Sequence, residues 1–240
     1  MSQGFSNSVN NRLLASLPWE EYERLQPYLE PIALDFKQEL YLPNVPIEFV
    51  YFPLRGVCSL LSLTSNSELI EVATIGNESM VGLPVFLGAK QIPGLAICQI
   101  PGSALRMRAE DLRTQVTAGT ALDEVLRRYT QALFNFISQS ALCNRVHSIE
   151  QRCCRWLLLT RDRVENDEFP LTHEFLSQML GVRRAGVSEV AIRLQNAGFI
   201  SYRYGKVTIL DREGLEATSC ECYAIIKAEF DRLIGDNHMN

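Results

Sequence analysis

The chain has 240 residues, 47% of them hydrophobic, enough to bury one large core or two moderate ones and too many for a disordered protein. Its 23 Lys and Arg against 28 Asp and Glu give a net charge of −5, so any nucleic-acid binding must come from a local basic surface rather than from bulk charge. No stretch reaches the roughly 18 apolar residues of a membrane span. The first residues, MSQGFSNSVNNR, lack the apolar core of a secretory signal, so a cytoplasmic location with no membrane partner is expected.

Leu13, Leu14 and Leu17 precede Pro18, and WEEYERLQPYL then reads as a short amphipathic helix with Pro18 in its first turn. From Ile32 to Arg108 the texture changes to short apolar runs, EFVYF, GVCSLLSL, ELIEVATI, LAICQI and PGSALRM, broken by turn residues such as TSNSE and GNE. Strands at such regular intervals predict a β roll or sandwich. The three histidines, His147, His173 and His238, lie outside it, which removes the ligands that a metal-dependent enzyme built on such a roll requires. No nucleophile–base pair or carboxylate pair stands in a recognisable arrangement, so the chain is read as a non-enzyme. Ala109 to Leu112 begins a short helix.

The segment from Thr120 to about Glu150 contains neither Pro nor Gly. Its apolar residues Leu122, Val125, Leu126, Tyr129, Ala132, Leu133, Phe136, Cys143 and Val146 recur at three and four, with Gln139 and Ser140 interrupting the stripe. A helix this long requires a partner surface. Packing against its own roll is one reading. A parallel two-fold pairing fits the stripe as well and makes Leu122, Val125, Leu126, Tyr129, Leu133, Phe136, Cys143 and Val146 a dimer seam. A further helix, SIEQRCCRWLLLTRDRV, leads through the polar loop VENDEF into the C-terminal region.

There, Thr172 to Ile200 reads as two short amphipathic helices pinched around Gly181, the spacing of a helix-turn-helix DNA reader. Thr172 is the N-cap of a first helix with Phe175, Leu176, Met179 and Leu180 on its buried face. The second helix buries Val187, Val190, Ala191 and Leu194, which turns Ala185, Ser188, Glu189, Ile192 and Asn196 outward. Arg183 and Arg184 stand at its N-terminus, where the helix dipole does not favour positive charge; a phosphate or a guanine edge accounts for them. Ala185 and Gly186 leave the helix end slim enough for a major groove about 12 Å wide. ISYRYGKVTIL then forms two short strands around Tyr204-Gly205, a wing whose Arg203 and Lys206 reach toward the DNA backbone. From Leu176 to Lys206 there are five Arg or Lys against one Glu, so this region is basic although the chain is acidic. The candidate DNA-binding residues are Thr172, Arg183, Arg184, Ala185, Ser188, Glu189, Arg193, Arg203 and Lys206.

Seven cysteines, Cys58, Cys98, Cys143, Cys153, Cys154, Cys220 and Cys222, contain no CxxC and match neither a disulfide framework nor a zinc-site spacing. Cys220-Glu221-Cys222 has the chemistry for redox or metal binding with a partner, but no third and fourth ligand clusters with it along the chain. The cysteines are therefore read as buried thiols, with no metal and no cofactor assigned.

The order of parts, β roll, long helix, winged helix-turn-helix, resembles the Crp/Fnr superfamily of bacterial transcription regulators along nearly the whole chain. The resemblance implies an α+β protein: a cyclic-nucleotide-binding-like jelly roll with an N-terminal helix in residues 1–118, a long dimerisation helix in 119–150, and a winged helix-turn-helix domain in 151–240. It implies as partners double-stranded DNA, a second copy of the chain, RNA polymerase and a small effector. It also places Arg184 at a base-reading arginine and Arg183 at a phosphate contact, whereas Ala185 and Glu189 depart from the catabolite-activator branch. In the roll, Gly82 persists but Leu83 replaces the glutamate that accepts a ribose hydroxyl. Ile92 to Leu95 offers no arginine for a cyclic phosphate, so cyclic AMP is not expected to bind. The cysteine cluster of iron–sulfur members is absent from the N-terminal region, and no pattern supports haem. The expected function is a homodimeric, sequence-specific transcription regulator. The alternative is a ligand-binding or redox-sensing protein that uses the winged domain for protein contacts.

Overall fold

Short apolar runs draw the first half of the chain into one antiparallel sheet. The computed structural model describes residues 9–66 and 69–235, so His238 and the start of the N-terminal segment lie outside the described residues. The sheet comprises β1 (Glu30–Leu34), β2 (Glu39–Tyr41), β3 (Phe49–Leu63), β4 (Leu69–Ile75) and β5 (Leu95–Arg108), in the order β1-β5-β3-β4 with β2 on another part of β5. EFVYF and GVCSLLSL are thus one strand, and so are LAICQI and PGSALRM. The residues that suggest turns sit instead at register shifts between β3 and β5. Gly56, at φ +86°, occupies one of them, and a Cβ there would lie 2.5 Å from the Ile100 carbonyl oxygen. Such bulges bend the two long strands and let the sheet roll up over its core.

Helices α1 (Arg12–Ala15) and α2 (Trp19–Leu25) precede the sheet, with Pro18 at the N-cap of α2. Asn11 caps α1 through its side-chain oxygen, while its buried amide donates to the carbonyls of Pro53 and Ser79, 2.9 Å each. Helix α3 (Leu83–Phe86) lies between β4 and β5, and α4 (Ala109–Gln115) follows β5. Helix α5 (Ala121–Val146) starts at the Thr120 cap, and its first two amides donate to the Glu21 carboxylate at 2.9 Å.

The continuous helix expected to about Glu150 ends at Val146. His147 is extended, and Ser148 opens α6 (Ile149–Val164) with a capping box to Gln151. Two reciprocal side-chain bonds satisfy the amides of a new helix start, so a break here is locally stable. The stripe expected as a dimer seam faces inward: Leu122, Val125, Leu126, Tyr129, Leu133, Phe136 and Cys143 are all buried within this chain, and the Tyr129 hydroxyl donates to the Met80 carbonyl at 2.7 Å. Of that set Val146 is exposed, and the outward face of α5 carries Phe134, Ile137 and Leu142. Periodicity identifies a buried face without saying which chain buries it.

Helix α6 is buried along most of its length and ties the roll to the C-terminal part. Trp156 Nε1 donates to Glu71 Oε1 of β4 at 3.0 Å, Arg163 pairs with the buried Glu78 at 2.8 Å, and Arg163 Nη1 donates to Thr74 Oγ1 at 3.0 Å. Beyond α6 come β6 (Glu168–Pro170), α7 (His173–Leu180), α8 (Arg184–Asn196), β7 (Ile200–Arg203) and β8 (Lys206–Ile209), followed by α9 (Arg212–Thr218) and α10 (Cys222–Ile234). Part of VENDEF, expected as loop, is strand β6, which completes a sheet ordered β6-β8-β7. Helix α10 returns to α5, where Phe230 meets Phe136 edge-on at 6.2 Å. No helix among the described residues is long and apolar enough to cross a membrane.

Candidate nucleic-acid interface

Thr172 accepts the Phe175 amide at 3.1 Å and starts α7, whose Phe175, Leu176, Met179 and Leu180 are buried. Gly181, at φ +61°, ends that helix in the left-handed region, the conformation the sharp turn into α8 demands. Helix α8 buries Val187, Val190, Ala191 and Leu194 and leaves Arg184, Ala185, Glu189, Ile192, Arg193 and Asn196 exposed along one side. Arg183 occupies the N-cap and makes no capping bond, so two guanidinium groups crown the amino end of this helix.

The nine candidates differ in how free they are. Arg183, Arg184 and Arg203 are exposed and have no ion pair among the described residues. Arg193 is held by Glu150 at 2.9 Å and Lys206 by Glu168 at 2.8 Å, both on the surface. Ser188 points back into the domain, its Oγ 3.0 Å from His173 Nδ1. His173 in turn stacks on Tyr202 with ring centroids 4.5 Å apart. Burial, and then the nearby Arg184, hold the His173 pKa below its usual value, so the ring is a neutral spacer between α7, α8 and the wing.

At the tip of the wing, Tyr204 and Gly205 both have positive φ, +51° and +74°, the paired left-handed geometry of a tight two-residue hairpin. Tyr204 is fully exposed there, between Arg203 and Lys206. An aromatic ring at a hairpin tip flanked by cations is legible in the motif RYGK, yet Tyr204 is absent from the candidates that periodicity and charge select.

Arg183, Arg184 and the turn at Gly181 also line a groove of about 570 Å³ whose opposite wall is Leu69 and Ile70 of β4. The reader is therefore docked against the roll, with Phe175 also 6.1 Å from Phe36. Between the roll and α5 lies a second cleft of about 390 Å³, lined by Tyr41, Leu61, Met80, Leu83, Ile92, Leu133 and Phe134 among others. No charged side chain lines it among the described residues.

Residues 151–218 match the Crp-like helix-turn-helix domain family. Solved structures extend the likeness to most of the chain. FixK2 from Bradyrhizobium japonicum is 16% identical with a TM-score of 0.68, covering 80% of this chain and 98% of that one. The c-di-GMP responsive global regulator CLP from Xanthomonas campestris is 14% identical with a TM-score of 0.64, covering 80% and 99%. A CRP-family transcriptional regulator from Thermus thermophilus is 17% identical with a TM-score of 0.66, covering 78% and 96%. The chain has the Crp/Fnr fold. Comparison with curated protein sequences gives no match.

Within that Crp/Fnr fold, one grouping escapes the sequence reading. Cys220 and Cys222, taken there as thiols without further ligands, are joined by Cys143 and His147 from the end of α5. The linear spacing hides this, because the two pairs are separated by the whole helix-turn-helix domain.

Proposed function

We propose that this chain is a homodimeric, sequence-specific transcription regulator that reads double-stranded DNA with α8 and the wing. The observation that carries the reading is the set of free cations Arg183, Arg184 and Arg203 around a slim, exposed helix end on a Crp-like helix-turn-helix. Arg184 is assigned to a base edge, Arg183 and Arg203 to phosphates, and Thr172 to a phosphate at the amino end of α7. Ala185 and Glu189 form the rest of the reading face. Arg193 and Lys206 contribute only if DNA displaces their surface carboxylates, which costs little because exposed pairs contribute about 1 kcal/mol or less.

The second copy docks on the outward face of α5, where Phe134, Ile137 and Leu142 are exposed and Thr130, Phe134, Ile137 and Ala141 repeat at four, three and four. A two-fold pair of this kind presents two readers to half-sites about 34 Å apart. The division of labour is a sensor in residues 1–118, a dimer helix that now ends at Val146, and a reader from 151 onward, acting in the cytoplasm on RNA polymerase. The chain is assigned no catalytic role.

The effector cleft is the apolar space between roll and α5. CLP is c-di-GMP responsive, but a cyclic dinucleotide or cyclic AMP brings phosphate, and this cleft has no cation to meet one. Lys90 is exposed and outside its lining. A neutral, largely apolar molecule fits instead.

Selection of bound duplexes from a random pool, followed by titration of the enriched site over a range of salt, tests the proposal. The expected result is an enriched inverted repeat and a steep negative salt slope. Unselective, salt-independent binding would show that the winged domain serves protein contacts instead.

A further inference from the structure

Cys143 sits in the last turn of α5 and His147 is the extended residue that caps it, and both side chains meet the junction of α9 and α10. Cys220 and Cys222 arrive from that junction. Cys143 Sγ lies 3.5 Å from Cys220 Sγ, Cys222 Sγ lies 3.5 Å from His147 Nδ1, and the four ligand atoms all fall within 4.8 Å of one another. The three cysteines are buried, form a small cluster apart from the main core, and are not in disulfides.

We propose that Cys143, His147, Cys220 and Cys222 form a closed Cys3His site for one tetrahedral, thiophilic divalent cation, zinc by preference. Zinc bonds of about 2.3 Å to sulfur and about 2.0 Å to nitrogen place tetrahedral ligand atoms about 3.5–3.8 Å apart, which the two 3.5 Å separations already approach. A multi-iron cluster spreads its ligands over several metal atoms and does not fit inside a 4.8 Å group. Soft thiolates with one imidazole select zinc over calcium or magnesium, and four protein ligands leave no open position, so the role is structural.

The surroundings are those of a metal site as well. His147 turns Nδ1 to the thiols while Nε2 lies 3.3 Å from Glu221 Oε1, the carboxylate–histidine arrangement that fixes a ligand's tautomer. Gln139 Nε2 donates to Cys222 Sγ at 3.1 Å. Three thiolates around a divalent cation leave a net charge of about −1. Arg152 and Arg155, both buried and without an ion pair among the described residues, supply the opposite sign on the neighbouring helix, and the field of Arg152 reaches Cys143 and Cys220. Binding displaces one proton from each thiol to solvent and forms three metal–sulfur bonds and one metal–nitrogen bond, with no change of oxidation state. The site clips the end of α5 to α10 and stands independently of the DNA-reading proposal.

The test uses the full chain, purified under reducing conditions. Elemental analysis should find one zinc per chain. After chelation, Co2+ should titrate to one equivalent with the visible bands of a tetrahedral centre and thiolate charge transfer in the near ultraviolet. Cys222→Ser should bind Co2+ at least about 100-fold more weakly and Glu221→Gln about 10-fold more weakly, while Cys153→Ser should match the wild type. The wild-type titration decides the matter even if Cys222→Ser does not fold. A reduced, folded wild-type chain that takes up no Co2+ would overturn the proposal. So would stoichiometric iron with labile sulfide, or a Cys143–Cys220 disulfide in the protein as isolated.

Discussion

Glu71 lies half-buried where the roll meets α6. Its carboxyl is pushed up to about 7 by burial, opposed by hydrogen bonds from Ser59 and Trp156 and by the charges of Arg155 and Arg163. A carboxyl raised in the folded state stabilises that state fully below its unfolded pKa near 4.5, and the contribution is lost as pH rises through about 7. The expected loss between pH 5 and 7.5 is on the order of 2–3 kcal/mol, with Glu71→Gln flattening that slope. Denaturant midpoints of the two proteins across this range check it; parallel slopes would remove Glu71 as the cause. At the reader, Arg184→Ala should weaken specific DNA binding by about 1–3 kcal/mol and relax preference at one base pair per half-site. Arg203→Ala should weaken all duplexes alike. Anisotropy titrations on selected and scrambled duplexes separate these effects.

At the scale of elements, the two sides of α5 make opposite predictions. Phe136 is buried against Phe230, so Phe136→Ala should cost about 3–5 kcal/mol of stability through the cavity it leaves. Phe134 is 66% exposed, so Phe134→Glu should leave the chain folded but place a charge in the proposed seam and yield monomers. Thermal unfolding together with sedimentation distinguishes the two, and a Phe134→Glu protein that stays dimeric would move the seam elsewhere. The same helix shows what a sequence discloses. Its apolar stripe, the Thr172 cap, the Gly181 turn and the hairpin at Tyr204-Gly205 were legible, because each is set by interactions within a few residues. The fusion of four apparent strands into β3 and β5 was not, since Gly56 resembles a turn until Ile100 lies across from it. Nor was the face of α5 that meets the roll, nor the meeting of Cys143 with Cys220, which depend on contacts distant in sequence.

For the whole molecule, the apolar cleft between roll and α5 predicts calorimetry without saturable heat for cyclic AMP or cyclic GMP at tens of micromolar. Heat abolished by Lys90→Ala would show that this lysine swings inward and would reverse the assignment. The break at His147-Ser148 has a mechanical consequence. Helix α6 is 16 residues long, hence about 24 Å, and it begins at a two-residue interruption sealed by its own capping box. Such a joint acts as a fulcrum. A tilt of about 10° there carries the far end of α6 through about 4 Å, more than one base-pair step of about 3.4 Å. Because Trp156 and Arg163 hold the middle and the far end of α6 to the roll, the helix can pivot at this joint only if β4 travels with it.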